Sequence, residues 1–512
     1  AVQLAQVADP VDDYEYAEDD YEYAEDDESD PQEEAPADAA GEMDIDYSDV
    51  EEITVTGSSG QLIATDEAES AVQFDAQDLE ALGAADISDI AKVTPNLEIT
   101  TAGATTANFF IRGVGLADYS ANSAGAVAIY QDGVPLNAST LQLVGLFDTA
   151  SVAVLRGPQG AGSGRNASAG AIKIASRKPT GELQAQLRTS LGAYASGDAL
   201  NAFFQSYEGA LELPLVDDLL STRIAFRVDD ADPYMTNGCG NAPPFSARLP
   251  RGFGVPNRAV TICGEQVPQF PPNSVSPIPV GLPRDVGDKG SWAARALFRF
   301  EPNLLDMDWL LNVHGSQLDQ QSTLGQAMGT SPTLGRGTQK GYFEPDQVEE
   351  LQGLLRLGLS QSLAQAVLAE NLASGRPLDI RPFRGDYNRV GQTTRDTWGA
   401  SLNGEMFFDD VPFVGSFTLQ SITGYDGYDR FRDTDQDFTP EVLFEIVQTD
   451  TAWQLFQELK AKGEMNAGLF RWELGGYFLI EELGSTIEQK TVQATFDFDR
   501  AFEQSLSSFA FY

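Results

Sequence analysis

The sequence predicts an antiparallel transmembrane β-barrel preceded by a small mixed α/β domain. Three observations carry this fold class. Beyond Thr180 the chain shows long period-two alternation, apolar on one face and polar on the other, in runs that reach the roughly nine to eleven residues a tilted membrane strand needs, where a soluble sandwich uses about five or six. The connections between these runs alternate short and long, as periplasmic turns and outer loops do in such barrels. No apolar run approaches the roughly 18 residues of a membrane helix, so only a closed barrel could satisfy the backbone in lipid.

Composition narrows the function. The 512 residues, 42% of them hydrophobic, are enough for two or more domains. A net charge of −46 and a pI near 4.1 exclude a nucleic-acid partner, because counterion release needs a basic surface. The sequence starts Ala1-Val2-Gln3, which reads as a mature terminus left by leader cleavage.

Residues 1–52 carry 22 acidic side chains and no Lys or Arg, with Asp-Asp-Tyr-Glu-Tyr-Ala-Glu repeated from Asp12 to Glu25. Self-repulsion and scarce apolar surface predict a disordered tail, either a solvated leader or a periplasmic interaction segment. The tail gives way to Ile53, Thr54, Val55, Thr56 and Gly57, a β-branched run ended by turn residues. It reads as a short strand with no partner of its own, the kind that another protein can capture on a sheet edge, or else as the first strand of the next domain.

That domain is placed at residues 59–180. Ala76, Leu79, Leu82, Ile87, Ile90 and Val93 have helical spacing interrupted at Gly83, with Asp86 or Ser88 as caps and Pro95 as a stop, which predicts two short helices. From Ile99 to Ala175 short strands alternate with glycine turns. The stretch Val154–Glu182 holds six glycines and predicts tight turns that end in a strand over Ala171–Ala175.

The wording of that stretch resembles the end of the plug domain in TonB-dependent outer-membrane receptors: Arg156, Gly157 and Pro158 stand in its LRGPQG segment, and Gly164, Arg165 and Asn166 in its GRN turn. Arg112 and Gly113 lie in a segment similar to the family's IRG, and Asp132 and Gly133 in one similar to its Y-x-D-G-V-P hairpin. Gly162-Ser163 stands where the family usually has a bulky pair, and Lys173 replaces the customary Asn. The resemblance implies that the α/β domain is a plug inside the barrel lumen. It also implies that Ile53–Gly57 corresponds to the TonB box.

Nine barrel strands are expected at about 183–193, 199–213, 219–229, 291–301, 306–318, 396–408, 413–427, 452–466 and 468–482, with a tenth starting near Ser507. Trp292, Trp309, Trp398, Trp453 and Trp472 all fall inside them, as interfacial rings would. Arg223, Arg227, Arg295, Arg299, Asn312, His314, Glu473 and Glu481 take the lumen face by parity. Plugged barrels of this class have about 22 strands. Residues 181–512 are therefore expected to form only the N-terminal part of the barrel, the chain continuing past Tyr512 or a second chain completing it.

The long connections hold the remaining signals. Cys239 and Cys263 lie in a Pro-rich outer loop and are expected to form a disulfide, worth roughly 3 kcal/mol on the chain-entropy model. Residues 346–375 show a capping box and leucine periodicity, predicting a helical pair over the barrel mouth. Asp433, Asp435 and Asp437 have calcium-like spacing without the glycine and distal Glu of a dedicated loop, and read as a solvated outer loop. No nucleophile and base pattern emerges, no metal ligand set and no cofactor is expected, and His314 has no partner identifiable from sequence, so an enzyme is not expected.

The resemblance implies active import of a scarce bulky solute across an outer membrane, most often an iron–siderophore complex, with saccharide or cobalamin as other cargoes. It implies TonB as energy-coupling partner and outer-membrane lipid around the barrel, with the acidic tail in the periplasm. Arg112 and Arg156 are the expected plug partners of Glu473 and Glu481. The competing class is a scaffolding barrel of a surface assembly, with the tail and helical loop as docking elements.

Overall fold

The computed structural model describes residues 70–160, 167–194, 202–240, 245–248, 259–262, 279, 281–302, 306–325, 360, 383–438, 444–465, 470–491 and 496–512. The expectations for the acidic tail, for Ile53–Gly57, for Gly164, Arg165 and Asn166, for Cys263 and for the loop helices over 346–375 lie outside these residues.

The N-terminal domain runs β1 (Ser70–Asp75), α1 (Ala76–Leu82), α2 (Ile87–Ala91), β2 (Leu97–Thr101), β3 (Ala107–Ile111), β4 (Val114–Gly115), β5 (Val127–Gln131), β6 (Val134–Pro135), α3 (Ser139–Gln142), β7 (Thr149–Arg156) and β8 (Gly170–Ser176). The two helices form where the sequence places them, and their caps explain why. Asp75 accepts from the Gln77 and Asp78 amides at 2.7 and 2.9 Å while Asp78 accepts from the Asp75 amide, and Gly83 ends α1 at φ 62°. Asp86 and Asp89 build the same box on α2. Strand β1, which helical periodicity hid, pairs antiparallel with β7, and the sheet order β1-β7-β8-β5-β6 includes one parallel pair, β5 with β8. Leu79, Ile87, Ile90, Ile111, Ile129, Val152, Val154 and Ile172 form a buried core that belongs to this domain alone.

The remaining strands are β9 (Gln184–Ala193), β10 (Phe203–Val216), β11 (Leu220–Ala231), β12 (Met235–Asn237), β13 (Phe245–Arg248), β14 (Ala259–Ile262), β15 (Asp285–Val286), β16 (Lys289–Phe300), β17 (Met307–Gln321), β18 (Arg384–Gly385), β19 (Gln392–Val411), β20 (Gly415–Asp435), β21 (Phe444–Met465), β22 (Phe470–Thr491) and β23 (Phe496–Phe511). Ten of them form one antiparallel up-and-down sheet in the order β23-β22-β21-β20-β19-β17-β16-β11-β10-β9. The short strands β12, β15 and β18 make a small outer sheet over a core of Met235, Val286, Leu324, Tyr387 and Val390.

Inward and outward faces follow the sequence parity. Ile224, Phe226, Trp292, Val313, Trp398, Leu474 and Phe478 are exposed on the outer face, whereas Arg223, Arg295, Asn312 and Glu481 are buried on the inner one. The strands β19 to β22 run several residues further outward than alternation alone indicates, because polar residues such as Asp429, Gln448 and Glu488 continue the ladder up to the Asp435–Glu445 pair. Two aromatic belts bracket the apolar band. Phe408 stacks on Phe417 at 4.7 Å with Trp472 beside it, and on the outer side Tyr425 lies 6.2 Å from Trp453, level with Trp398 through Gly427. From Phe417 to Gly427, about ten residues at roughly 3.3 Å each and tilted by about 40°, the height is about 25 Å, that of an outer-membrane apolar band.

Candidate functional site

The N-terminal domain sits against the lumen face of the sheet, and the seam between them combines polar contacts with three small apolar clusters, where Val134, Ala138 and Phe147 meet the barrel wall. Its most heavily bonded point is the corner Phe147–Asp148 just ahead of β7. Asp148 takes φ 47°, which turns its carboxylate into the barrel wall. There Arg223 of β11 binds it with both arms, Nε to Oδ2 at 2.8 Å and Nη2 to Oδ1 at 2.6 Å. The same guanidinium reaches Glu212 of β10 at 3.1 Å, and Glu212 also accepts from the Thr180 hydroxyl at 2.7 Å and the Gly181 amide at 2.9 Å. The Asp148 amide donates to Glu208 at 3.0 Å, and Arg295 of β16 donates to the Phe147 and Asp148 carbonyls at 2.6 and 3.1 Å while lying 4.7 Å over the Phe147 ring. With side chains 5% or less exposed, this Asp148–Arg223–Glu212 group is a desolvated, bidentate ion-pair set.

Three further contacts hold the same domain. At the β5–β6 turn Asp132 and Gly133 adopt φ 49° and 85°, the pairing that a tight hairpin of right-handed strands requires. The Asp132 carboxylate accepts from the Ser176 amide and hydroxyl, both at 2.7 Å, and from Asn312 of β17 at 2.8 Å, and its carbonyl accepts from Asn403 of β19 at 2.7 Å. Asn137 donates to Glu481 at 2.9 Å and, through its amide, to Gln454 at 3.0 Å. Arg430, paired with Asp450, reaches the Thr106 hydroxyl at 2.5 Å.

The structure corrects the expected ion pairs. Arg112 is the first residue of a second tight turn, at φ 53° followed by Gly113 at 76°, and its side chain is exposed. Arg156 closes β7 and its guanidinium donates to the Pro95 carbonyl at 3.4 Å; Gly157 and Pro158 continue from it, Gly157 with φ 127°. Glu473 is exposed and Glu481 is taken by Asn137, so neither arginine pairs with either glutamate. The polarity is the reverse of that expected: the plug supplies the carboxylate, Asp148, and the barrel supplies the arginine, Arg223. Sequence parity placed Arg223 and Arg295 on the lumen face, but Asp148 carries no motif, and only the fold brings it to them.

Other predicted positions resolve as follows. His314 does have a partner, Asp426 at 3.1 Å, which also accepts from Gln454 at 3.2 Å. Cys239 is buried and disulfide-bonded. Asp433 and Asp435 end strand β20 instead of lying in a solvated loop: Asp433 pairs with Arg389, and Asp435 accepts from the Asp437 and Phe438 amides at 3.0 and 2.9 Å. No cluster of metal-ligating side chains is found among the described residues. Burial, together with the charges of Asp437 and Glu445, pushes the Asp435 carboxyl, well beyond the outer aromatic belt, up to about 8.

Beside Arg389 and Glu445 an outer cleft of about 610 Å³ opens, lined by Gln321, Asn388, Arg389, Gln392, Glu445 and Lys490 on one side and by Pro279, Leu282 and Pro283 on another. Its size suits a solute much larger than an amino acid.

Comparison with known proteins places this geometry. Residues 64–171 match the TonB-dependent receptor plug domain. A segment of 185 residues, 35% of the chain, is 31% identical to the pesticin receptor of Yersinia enterocolitica, and a segment of 184 residues is 31% identical to that of Yersinia pestis. These segments cover 26% and 25% of the two receptors, so the match spans about a quarter of their length. Among solved structures, the ferric yersiniabactin uptake receptor of Yersinia pestis superposes with a TM-score of 0.52 at 14% identity, covering 86% of this chain and 61% of that one. The siderophore receptor of Acinetobacter baumannii gives 0.51 at 12% identity, covering 86% and 54%. At those identities the likeness is one of fold, a plug within an outer-membrane barrel.

Proposed function

We propose that this chain, which belongs to the TonB-dependent outer-membrane receptors, takes part in TonB-driven import of a bulky metal chelate of the siderophore type. The observation that carries the reading is the seam. The plug domain has its own apolar core and meets the lumen wall through hydrogen bonds, one desolvated ion-pair group and three small apolar clusters at Val134, Ala138 and Phe147, contacts that can be broken and remade with the plug still folded. Relatives described as a pesticin receptor and a ferric yersiniabactin uptake receptor support the cargo class.

In this mechanism the outer cleft near Arg389 and Lys490 receives the solute. Ile53–Gly57 is then offered to TonB, which adds it to a sheet edge and pulls, with the force reaching β1 and through its ladder β7 and the Phe147–Asp148 corner. The direct test is uptake of iron-55 supplied as ferric yersiniabactin and as other ferric chelates by cells that express the protein. Val55→Pro should leave surface binding intact and abolish accumulation. Undiminished accumulation would overturn the reading.

A further inference from the structure

One short strap, Phe383 to Gly391, supplies much of the polar wall of the outer cleft, and part of what fixes it lies outside the cleft. The strap turns at both ends, with Phe383 at φ 64° and Gly391 at φ 69°. A bulky residue such as Phe383 stays in the left-handed region only when its surroundings hold it there. At the far end the holding groups belong to β20 and β21. Asn388 donates to Glu445 at 2.6 Å, and Arg389 binds both Glu445, at 2.7 Å, and Asp433. Asn388, Arg389 and Glu445 line the cleft.

The near end is held by β12. The Thr236 amide donates to the Phe383 carbonyl at 2.9 Å and the Gly238 amide to the Gly385 carbonyl at 2.8 Å, within the parallel pairing of β12 with β18. That ladder stops at Gly385, ahead of the residues that line the cleft. Asn237 bridges the gap with its side chain. Its Oδ1 accepts from the Tyr387 amide at 3.0 Å and its Nδ2 donates to the Tyr387 carbonyl at 3.2 Å, so one carboxamide pairs with both backbone groups of one residue. The same Oδ1 accepts from the Cys239 amide at 2.9 Å, which fixes the rotamer. Tyr387 itself is fully buried, and its hydroxyl donates to the Gly325 carbonyl at 2.9 Å. Asn237 is 1% exposed and is not among the residues that line the cleft.

We propose that Asn237 is a positioning residue of the outer cleft: by locking the Tyr387 backbone it sets where Asn388 and Arg389 stand, and so how tightly the cleft holds its solute. The inference rests on the import reading of that cleft. Tyr387 precedes Asn388 directly and is pinned at ring and backbone, so a shift of its backbone passes straight to Arg389. A binding group is only as well placed as the buried hydrogen bonds behind it.

The test uses the receptor purified from outer membranes, with ferric yersiniabactin as the probe. Asn237→Asp keeps the two accepted bonds and loses the donated one, so it should fold as the unsubstituted chain does and bind at least threefold more weakly. Asn237→Ala should bind at least tenfold more weakly. In an Arg389→Ala background neither substitution should weaken binding further, because a residue that acts through Arg389 then has nothing left to act on. Phenylglyoxal should modify Arg389 at least threefold faster in Asn237→Asp, while the exposed Arg284 reacts at an unchanged rate. Losses that add in the double variants, or an Arg389 rate that Asn237→Asp leaves unchanged, would overturn the inference. An unsubstituted chain that binds no ferric chelate would defeat the import reading instead, and the Arg389 rate would still decide whether Asn237 places that side chain.

Discussion

Asp148 shows what one residue can carry in this molecule. Its carboxylate is fully buried and both oxygens serve Arg223, so Asp148→Asn leaves that guanidinium facing Glu212 alone inside the wall. Loss of one partner from a buried pair costs on the order of 3–5 kcal/mol. The substitution should therefore loosen the plug, and outer-membrane permeability to a large antibiotic such as vancomycin should rise. Arg112→Gln, at an exposed turn position, should leave permeability unchanged. Asp435 carries a separate effect at the outer rim. Its folded pKa of about 8 stands above the 3.8 of an ordinary aspartate, so the folded state keeps a proton that the unfolded chain releases above about pH 4. Stability there is highest below pH 4, falls between about 4 and 8, and levels off above. Asp435→Asn should abolish that fall, read as amide exchange at Asp437 and Phe438 corrected for intrinsic rates.

At the scale of elements, glycine positions set the strictest constraints. Gly170 opens β8 at φ 153°, and a Cβ there would stand 2.2 Å from the Leu155 carbonyl oxygen. Backbone cannot yield as a side chain can, so Gly170→Ala should cost about 1–3 kcal/mol, measured as a lower plug unfolding midpoint in urea. Strand and helix signals were readable wherever one local rule dominated. Capping by Asp86, the stop at Gly83 and the alternation through Arg223 and Arg295 each depend on neighbours in sequence. What stayed hidden depends on distant partners: β1 is strand because β7 lies beside it, and Asp148 is a site because β11 brings Arg223 to it. The Arg112 and Arg156 assignments failed because a motif arginine was given a lumen role that turn geometry and the Pro95 carbonyl already filled.

The described residues form a plug with its own core, set against the lumen face of a sheet that is apolar outside and largely polar inside. Its two aromatic belts predict depth in the membrane. Bromine-labelled lipids should quench Trp398 and Trp453 most when the label lies near the outer carbonyls, and Trp472 when it lies near the inner ones. Equal quenching at all depths would contradict the span from Phe417 to Gly427. The proposed import depends on TonB working the plug from the periplasm through Ile53–Gly57. It is tested most directly by titrating the purified receptor with the periplasmic domain of TonB. Saturable binding by the unsubstituted chain is expected, with at least a tenfold loss for Val55→Pro, because a proline removes a ladder donor from the captured strand. Equal affinity for the two proteins would contradict it.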